Sequence, residues 1–133
     1  MVFAAAGQDY DDIRVDFVDW PAIKPQAPLG QVPFIEMIDV ETRQSTKMGQ
    51  SITIARFLAK RFGLAGKDEF EQAFADMYAD QVTDLLHEFV KVHFEKDEAR
   101  KKEMCEKLHA DVLITNMRLF ESRLGSNNGF LSG

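Results

Sequence analysis

The chain has 133 residues, which fits one domain or two small ones that share a core, and 45% of the residues are hydrophobic. The formal net charge of −6 argues against nucleic acid or a membrane surface as the main partner and favours a cytoplasmic protein. Cys105 is the only cysteine, which excludes an intramolecular disulfide and any multi-cysteine metal site.

The front half of the chain is predicted to contain strands. The opening MVFAAAG has the composition of a helix end, and a chain that begins inside a helix is expected to be incomplete. Residues 13–18, IRVDFV, alternate apolar and charged side chains, which predicts a half-buried strand. Residues 19–30 hold three of the four prolines and are predicted to form a loop with at most one helical turn. The second predicted strand is QVPFIEMI at 31–38, and a hairpin connection and a short edge strand follow it.

Helices are predicted for the rest of the chain. Ser51 is a good N-cap for a helix that runs through SITIARFLAKRF and stops at Gly63. Beyond it, apolar residues at a spacing of three and four predict one long amphipathic helix to about Phe94. The polar stretch 95–104 contains a break and the acidic start of a last helix, which is predicted to end at Gly125.

Pro33 lies inside the apolar run LGQVPFIEM, although a central strand needs a backbone N–H that proline lacks. One interpretation is an ordinary edge strand. The other is a cis Val32–Pro33 bond, which turns the backbone outward and leaves the Val32 N–H and C=O free to pair with an extended ligand. The run by itself leaves both interpretations open.

Two further stretches each have a ligand-binding and a purely structural interpretation. The helix start GQSITIARF offers free N–H groups, the Ser51 hydroxyl and the Gln50 amide to a carboxylate or phosphate, but plain N-capping explains Ser51 nearly as well. Trp20 and Lys24 stand four residues apart in the proline-rich loop. Lys24 is a cation suited to a second carboxylate; in the alternative, Trp20 covers the edge of the core and Lys24 is solvated.

Four carboxylates follow the long predicted helix at every fourth residue: Asp76, Asp80, Asp84 and Glu88. Like charges at this spacing destabilise a helix by ~0.2–0.5 kcal/mol per pair, so the row costs about 1 kcal/mol in total. A cationic ligand, a basic side chain of a partner or full solvation would each account for the row.

Taken together, these residues resemble the glutathione transferases of the sigma class, which includes haematopoietic prostaglandin D synthases. The resemblance rests on AGQDYDDIRVDFVDWPAIKPQAPLGQVPFIE, QSITIARFLAKRFGLAGKDEFEQA and ADMYADQVTDLLHEF, and on the order Trp, Lys, G-x-V-P, Q-S. It covers the chain from about Ala6 to Gly133. It implies a thioredoxin-like α/β glutathione-binding domain over residues 1–65 that lacks its first strand, followed by an incomplete all-helical domain over residues 66–133.

The resemblance also implies roles for residues around the hairpin. Val32, which precedes a cis Pro33, pairs its backbone with the cysteinyl part of glutathione. Gln50 and Ser51 hold the γ-glutamyl carboxylate at the helix start. These roles favour the ligand-binding interpretation of the LGQVPFIEM run and of the helix start GQSITIARF.

The remaining implied contacts concern the two ends of glutathione. Trp20 and Lys24 contact the glycyl end, and Gly30 and Gln31 form the adjoining wall. Asp84 matches the acidic residue that reaches the glutamyl amino group across the interface of a homodimer. An ammonium group is the kind of partner that the row of carboxylates favours.

The sequence departs from the family's pattern in three places. The family's first strand carries the tyrosine that stabilises the glutathione thiolate, and neither Tyr10 nor Tyr78 matches it, so no catalytic residue is assigned. Gln44–Ser45 is a second Gln–Ser pair within an unusually long hairpin, but Gln50–Ser51 is preferred because a helix follows it directly. Thr83 stands where some members have an acidic metal ligand, so no metal is expected.

The resemblance implies a cytoplasmic homodimer that conjugates glutathione, its thiol substrate, to hydrophobic electrophiles or isomerises a prostanoid. Such catalysis lowers the thiol pKa from ~8.5 toward neutrality, so a chain without the tyrosine is expected to show little or no conjugating activity. The alternatives are a non-catalytic glutathione-binding protein, like the lens crystallins related to this class, and an inactive fragment. No nucleic acid, membrane or metal partner is expected.

Overall fold

The computed structural model describes residues 1–131 of the chain. The chain divides into two units, Met1–Ala65 and Gly66–Gly133. The expected order, an α/β portion before a helical portion, is present, since both strands of the described residues belong to the first unit. No helix within residues 1–131 is both long and apolar enough to span a membrane.

An antiparallel hairpin forms the centre of the first unit. β1 (Phe34–Ile38) pairs with β2 (Ser45–Gly49), so that Phe34 lies opposite Gly49 at one end and Ile38 opposite Ser45 at the other. The elements around it are α1 (Val2–Ala6), α2 (Trp20–Ile23), a 3₁₀ turn (Lys24–Gln26) and α3 (Ser51–Arg61). The helix end predicted for the opening MVFAAAG, the helical turn in the proline-rich loop and the hairpin are therefore confirmed.

One carboxylate holds the turn of the hairpin. Asp39 accepts hydrogen bonds from the Thr42 N–H (2.7 Å), the Thr42 hydroxyl (2.9 Å) and the Glu41 N–H (3.1 Å). These donors, of which the Thr42 N–H is the strongest, favour the charged form and lower the pKa of Asp39 below its ordinary value. The Asp39 N–H in turn donates to the Gln44 carbonyl (2.9 Å), so the turn fixes the register of both strands.

The prediction of a strand at 13–18 is wrong. These residues have no regular secondary structure apart from a turn that begins at Phe17, and the Ile13 and Phe17 side chains are 80% and 97% exposed. The alternation of IRVDFV is typical of a strand, but a strand also needs a neighbour that accepts its backbone hydrogen bonds. Within the described residues the sheet has only β1 and β2, and no strand lies beside 13–18.

α3 leads away from the end of β2. The predicted Ser51 N-cap is wrong, because the chain turns into the helix one residue earlier, at Gln50, which has a φ of 69°; Ser51 is already helical. The predicted stop at Gly63 is confirmed: Gly63 has a left-handed φ of 70°, and the next N–H, of Leu64, donates to the Ala59 carbonyl (2.7 Å). The buried residues of the first unit are Ala27, Ile54 and Leu58.

A long helix begins the second unit. α4 spans Glu69–Phe94, which confirms the predicted helix to Phe94. Its N-cap, Asp68, accepts hydrogen bonds from the N–H groups of Phe70 and Glu71, both at 2.9 Å. The cap explains why the helix begins here, since it satisfies two N–H groups that have no partner inside the helix.

The predicted single last helix is interrupted. α5 (Glu98–Lys107) and α6 (Ile114–Ser126) are joined by a π-helical segment, Leu108–Leu113. Apolar residues at every fourth position drift about 40° per step around an α-helix, and the wider π turns counter that drift. The buried residues of the second unit are Leu85, Leu108 and Phe120.

Candidate functional site

Two of the predicted site segments meet at one end of the hairpin. Phe34 faces Gly49, so the residues before Phe34 and those after Gly49 lie at the same end of the sheet. The register therefore brings Val32–Pro33 next to Gln50–Ser51. The Val32–Pro33 peptide bond is cis.

Val32 has an unpaired backbone at this end. Its N–H and C=O make no hydrogen bond with any described residue, and its side chain is 57% exposed. An exposed strand end of this kind presents a donor and an acceptor to an extended ligand.

Gln50 and Ser51 present the start of α3. Both residues are exposed, and no side chain caps the first turn of the helix. The first N–H groups of the helix therefore have no intrahelical acceptor, and together with the Ser51 hydroxyl they suit an anionic oxygen.

The other Gln–Ser pair, Gln44–Ser45, is at the opposite end of the hairpin. Ser45 pairs with Ile38, four positions along β1 from Phe34, which is about 13 Å at 3.3 Å per residue. Its hydroxyl donates a hydrogen bond to the Glu36 carboxylate. Of the two pairs, only Gln50–Ser51 adjoins both Val32 and a helix start.

The loop that carries Lys24 packs against the end of β2. A Cβ atom placed on Gly49 would lie 3.4 Å from Cδ1 of Leu29 and 3.6 Å from Cγ of Pro28, so the loop is in van der Waals contact with this glycine. Gly49 directly precedes Gln50. The loop is therefore held beside the start of α3.

Within this loop, Lys24 and Gly30 lie against each other. The Lys24 Cε is 3.6 Å from the position of a Cβ on Gly30, which has a φ of 62° that glycine adopts without strain. The Lys24 ammonium has no ion-pair partner among the described residues. It is therefore available to an anionic group beside this loop.

Trp20 and Gln31 are at the two ends of the same stretch. Trp20 is half-buried at the start of α2, and its carbonyl accepts a hydrogen bond from the Lys24 N–H, which closes one helical turn between the two residues. Gln31 is exposed and directly precedes Val32. The predicted site residues of the first unit therefore lie on three segments, 20–31, 32–33 and 50–51. The first two are consecutive in sequence, and the first also contacts Gly49, which precedes the third.

Lys47 is a positioning residue that the sequence does not indicate. Its ammonium donates to the Gln26 carbonyl (3.3 Å), lies 3.8 Å from the Glu36 carboxylate and is 5.7 Å from the centre of the Phe34 ring. These contacts tie the Lys24 loop to both strands. Lys47 lies opposite Glu36 in the hairpin, and this pairing can be recognised only once the strand register is known.

Neither tyrosine is part of this group of residues. The Tyr10 ring stacks on Phe3 with centroids 4.7 Å apart, and Phe3 also contacts Phe62 at the end of α3 (5.9 Å). Tyr78 belongs to the second unit, where its ring meets that of Phe120 (6.3 Å).

Asp84 lies in the second unit, on α4. It is exposed and lines an open groove of about 470 Å³ together with Gln81, Leu85 and Asn116. The Gln81 amide donates to the Asn116 side-chain oxygen (2.8 Å), which joins α4 to α6 across this groove. Within residues 1–131 no group of three His, Cys, Asp or Glu side chains is arranged to hold a metal ion.

Comparisons with known proteins point to one family. No family model matches the sequence. Glutathione S-transferase S1 of Drosophila melanogaster is 33% identical over 131 residues, which are 98% of this chain and 50% of that protein. S-crystallin SL11 of Nototodarus sloanii is 32% identical over 129 residues, 97% of this chain and 60% of that protein. The structure of prostaglandin synthase D of Nilaparvata lugens matches with a TM-score of 0.84 at 31% identity, covering 98% of this chain and 63% of that one.

These matches show which proteins the chain is related to. In sequence and in fold, the chain is a relative of the glutathione transferases over nearly its whole length, which confirms the resemblance. Its fold is theirs: a thioredoxin-like first unit, here with two strands, followed by a helical second unit. The chain spans between half and two thirds of the length of the three proteins compared.

Proposed function

We propose that this chain is a sigma-class glutathione transferase whose residues 1–65 form the glutathione-binding domain and whose residues 66–133 form the helical domain. One observation carries the proposal: an unpaired strand backbone, an uncapped helix start and an unpaired lysine are gathered at one end of the hairpin. Glutathione is an extended tripeptide with a carboxylate at each end, and this arrangement suits such a ligand.

The proposed roles follow the order of the ligand's parts. The γ-glutamyl carboxylate accepts hydrogen bonds from the Ser51 hydroxyl and the first N–H groups of α3, with Gln50 beside it. The cysteinyl part pairs with the Val32 backbone. The glycyl carboxylate lies near the Lys24 ammonium and Trp20. Gly30 and Gln31 form the wall between them.

The remaining proposals concern the assembly. The chain is a cytoplasmic homodimer in which Asp84 of one subunit meets the glutamyl ammonium of glutathione bound to the other. The support is that Asp84 is an exposed carboxylate on α4. The second substrate is a hydrophobic electrophile, and no metal takes part.

The chain itself is proposed to bind glutathione without efficient conjugation. Conjugation needs a donor that stabilises the thiolate, and the rings of both tyrosines pack on other aromatic side chains, Tyr10 on Phe3 and Tyr78 on Phe120. A non-catalytic, crystallin-like role is the second candidate. The 32% identity to an S-crystallin over 97% of this chain favours it.

Two measurements on the purified 133-residue chain test these proposals together. Calorimetric titration with glutathione is expected to show saturable binding, whereas an assay with glutathione and a chloronitroaromatic electrophile is expected to show little or no turnover. Absence of binding would contradict the proposed site. Binding with turnover near that of a full-length glutathione transferase would contradict the non-catalytic role and leave the site standing.

A further inference from the structure

Two positions of β2 hold the loop that carries Lys24. Lys47 and Gly49 are two residues apart in the strand, so they belong to the same face of the hairpin. On this face the Lys47 ammonium donates to the Gln26 carbonyl (3.3 Å), and a Cβ on Gly49 would lie 3.4 Å from Cδ1 of Leu29. The loop is therefore attached to the strand at two points, one polar and one apolar.

The strands hold the Lys47 ammonium in a fixed place. It is 3.8 Å from the carboxylate of Glu36, the residue opposite it on β1, and 5.7 Å from the centre of the Phe34 ring. The Lys47 side chain is 30% exposed. Because this ammonium has neighbours on three sides, it is a fixed donor to the Gln26 carbonyl rather than a solvated charge.

Backbone hydrogen bonds connect Lys24 to the rest of the loop. The Ala27 N–H donates to the Lys24 carbonyl (3.2 Å), and the Gly30 N–H donates to the Ala27 carbonyl (3.0 Å). Ala27 is buried, and the Lys24 side chain lies against Gly30. The turn that contains Gln26 therefore also sets the position of the Lys24 side chain.

We propose that Lys47 is a positioning residue that gives the site its preference for a peptide with a free carboxylate at the glycyl end. By holding Gln26, Lys47 fixes the turn that carries the Lys24 ammonium, and this ammonium meets the carboxylate. Lys47 acts through the loop and does not itself contact the ligand. This inference rests on the proposed function, because it concerns the glycyl end of the glutathione site.

The effect of Lys47 is confined to one end of the ligand. The other parts of glutathione are proposed to bind at Val32 and Ser51, which the β1–β2 ladder brings together through backbone hydrogen bonds. Loss of the Lys47 ammonium leaves that ladder and the Gly49 contact in place. It therefore loosens the Lys24 loop without removing the rest of the site.

Calorimetric titration with two peptides tests the inference: glutathione, and its analogue with a carboxamide in place of the glycyl carboxylate. The wild-type chain is expected to prefer glutathione about tenfold or more, because a hydrogen bond between two charged groups is stronger than one to a neutral group. Lys47→Met should reduce this preference to about threefold or less and leave the affinity for the carboxamide within about twofold of wild type. An equal loss of affinity for both peptides would overturn the inference.

Two further variants separate positioning from a general effect of charge. Lys47→Arg keeps a cation that can donate to the Gln26 carbonyl, so it should keep the preference for glutathione. Lys60→Met removes the same charge from an exposed position on α3 and should also keep it. A preference that falls as far in Lys60→Met as in Lys47→Met would contradict a role of Lys47 through the loop.

Amide hydrogen exchange of the ligand-free chain gives a second readout that does not depend on binding. The Ala27 and Gly30 amides should exchange about threefold or more faster in Lys47→Met than in wild type. The Leu64 amide, which donates to the Ala59 carbonyl at the end of α3, should be unchanged. Unchanged exchange at Ala27 and Gly30 would overturn the inference even if glutathione binds. A wild-type chain that binds neither peptide would contradict the proposed function as well, so the two failures can be told apart.

Discussion

The two units of this chain depend on contacts of different range. In the first unit the site is positioned by residues far apart in sequence: Phe34 pairs with Gly49, and the Lys47 ammonium meets the Gln26 carbonyl. In the second unit most hydrogen bonds join residues four positions apart within helices. A helical unit can therefore be recognised from local periodicity, whereas the candidate binding end of the hairpin exists only when the register and the loop packing are both formed.

The largest expected effect tests whether the second unit has a core of its own. Phe120→Ala removes a buried ring that contacts Tyr78, and we expect it to lower the free energy of unfolding by about 3–5 kcal/mol in urea titration. Met117→Ala, on the exposed side of the same helix, is the matched control and should cost less than about 1 kcal/mol. Equal losses in the two variants would contradict the assignment of Phe120 to the core.

The next effect separates the two ends of the hairpin. Ser51→Ala is expected to weaken glutathione binding about tenfold or more, because a hydrogen bond to a charged group contributes about 1.5–3 kcal/mol. Ser45→Ala is the matched control, since it also follows a glutamine but lies at the opposite end of the ladder. Calorimetry should show unchanged affinity for Ser45→Ala. A larger loss in Ser45→Ala than in Ser51→Ala would place the ligand at the wrong end of the hairpin for our proposal.

A third effect concerns the long-range polar contact of the second unit. Asn116 accepts from Gln81 and donates to the Val112 carbonyl, both at 2.8 Å, so Asn116→Ala should cost about 1–2 kcal/mol of unfolding free energy. In a double-mutant cycle, Asn116→Ala and Gln81→Ala should show a coupling of about 0.5 kcal/mol or more. Strict additivity of the two losses would show that the contact between α4 and α6 contributes nothing.

The smallest effect is the pH dependence of the hairpin turn. The pKa of Asp39 is lowered in the fold, so its carboxylate stabilises the hairpin above the unfolded value of 3.8, and this contribution disappears as the pH falls through the lower folded value. Asp39→Asn should therefore lower the Tm at neutral pH and make no difference in strong acid. Glu41→Gln, in the same exposed turn, is the control. A Tm difference for Asp39→Asn that grows on acidification would have the wrong sign.

The sequence predicted the helices and the order of the units better than the extended segments. The α4 helix and the stop of α3 at Gly63 follow from apolar spacing and terminal residues, both of which are local. The segment 13–18 has an equally clear pattern but forms no strand, because strand formation depends on a neighbour that the pattern cannot reveal. The interruption at Leu108–Leu113 was also missed, since a π segment preserves the helical character of the sequence.

For the candidate site, single residues were less informative than their order. Trp20, Lys24, Val32 and Ser51 each have an ordinary structural explanation when taken alone. The choice between Gln50–Ser51 and Gln44–Ser45 rested on the helix that follows, and the strand register now adds a second, independent reason. Lys47 could not be found in this way, because its contacts with Gln26 and Phe34 depend on how the loop and the strands pack together.

We propose that glutathione binds at the end of the hairpin where Val32 adjoins Gln50–Ser51. Titration of the isotopically labelled chain with glutathione, followed by the NMR signals of the backbone amides, tests it most directly. Saturable shifts of the Val32, Gln50 and Ser51 amides are expected, with little change at Ser45. Shifts confined to the Ser45 end of the ladder, or no shifts at saturating glutathione, would contradict it.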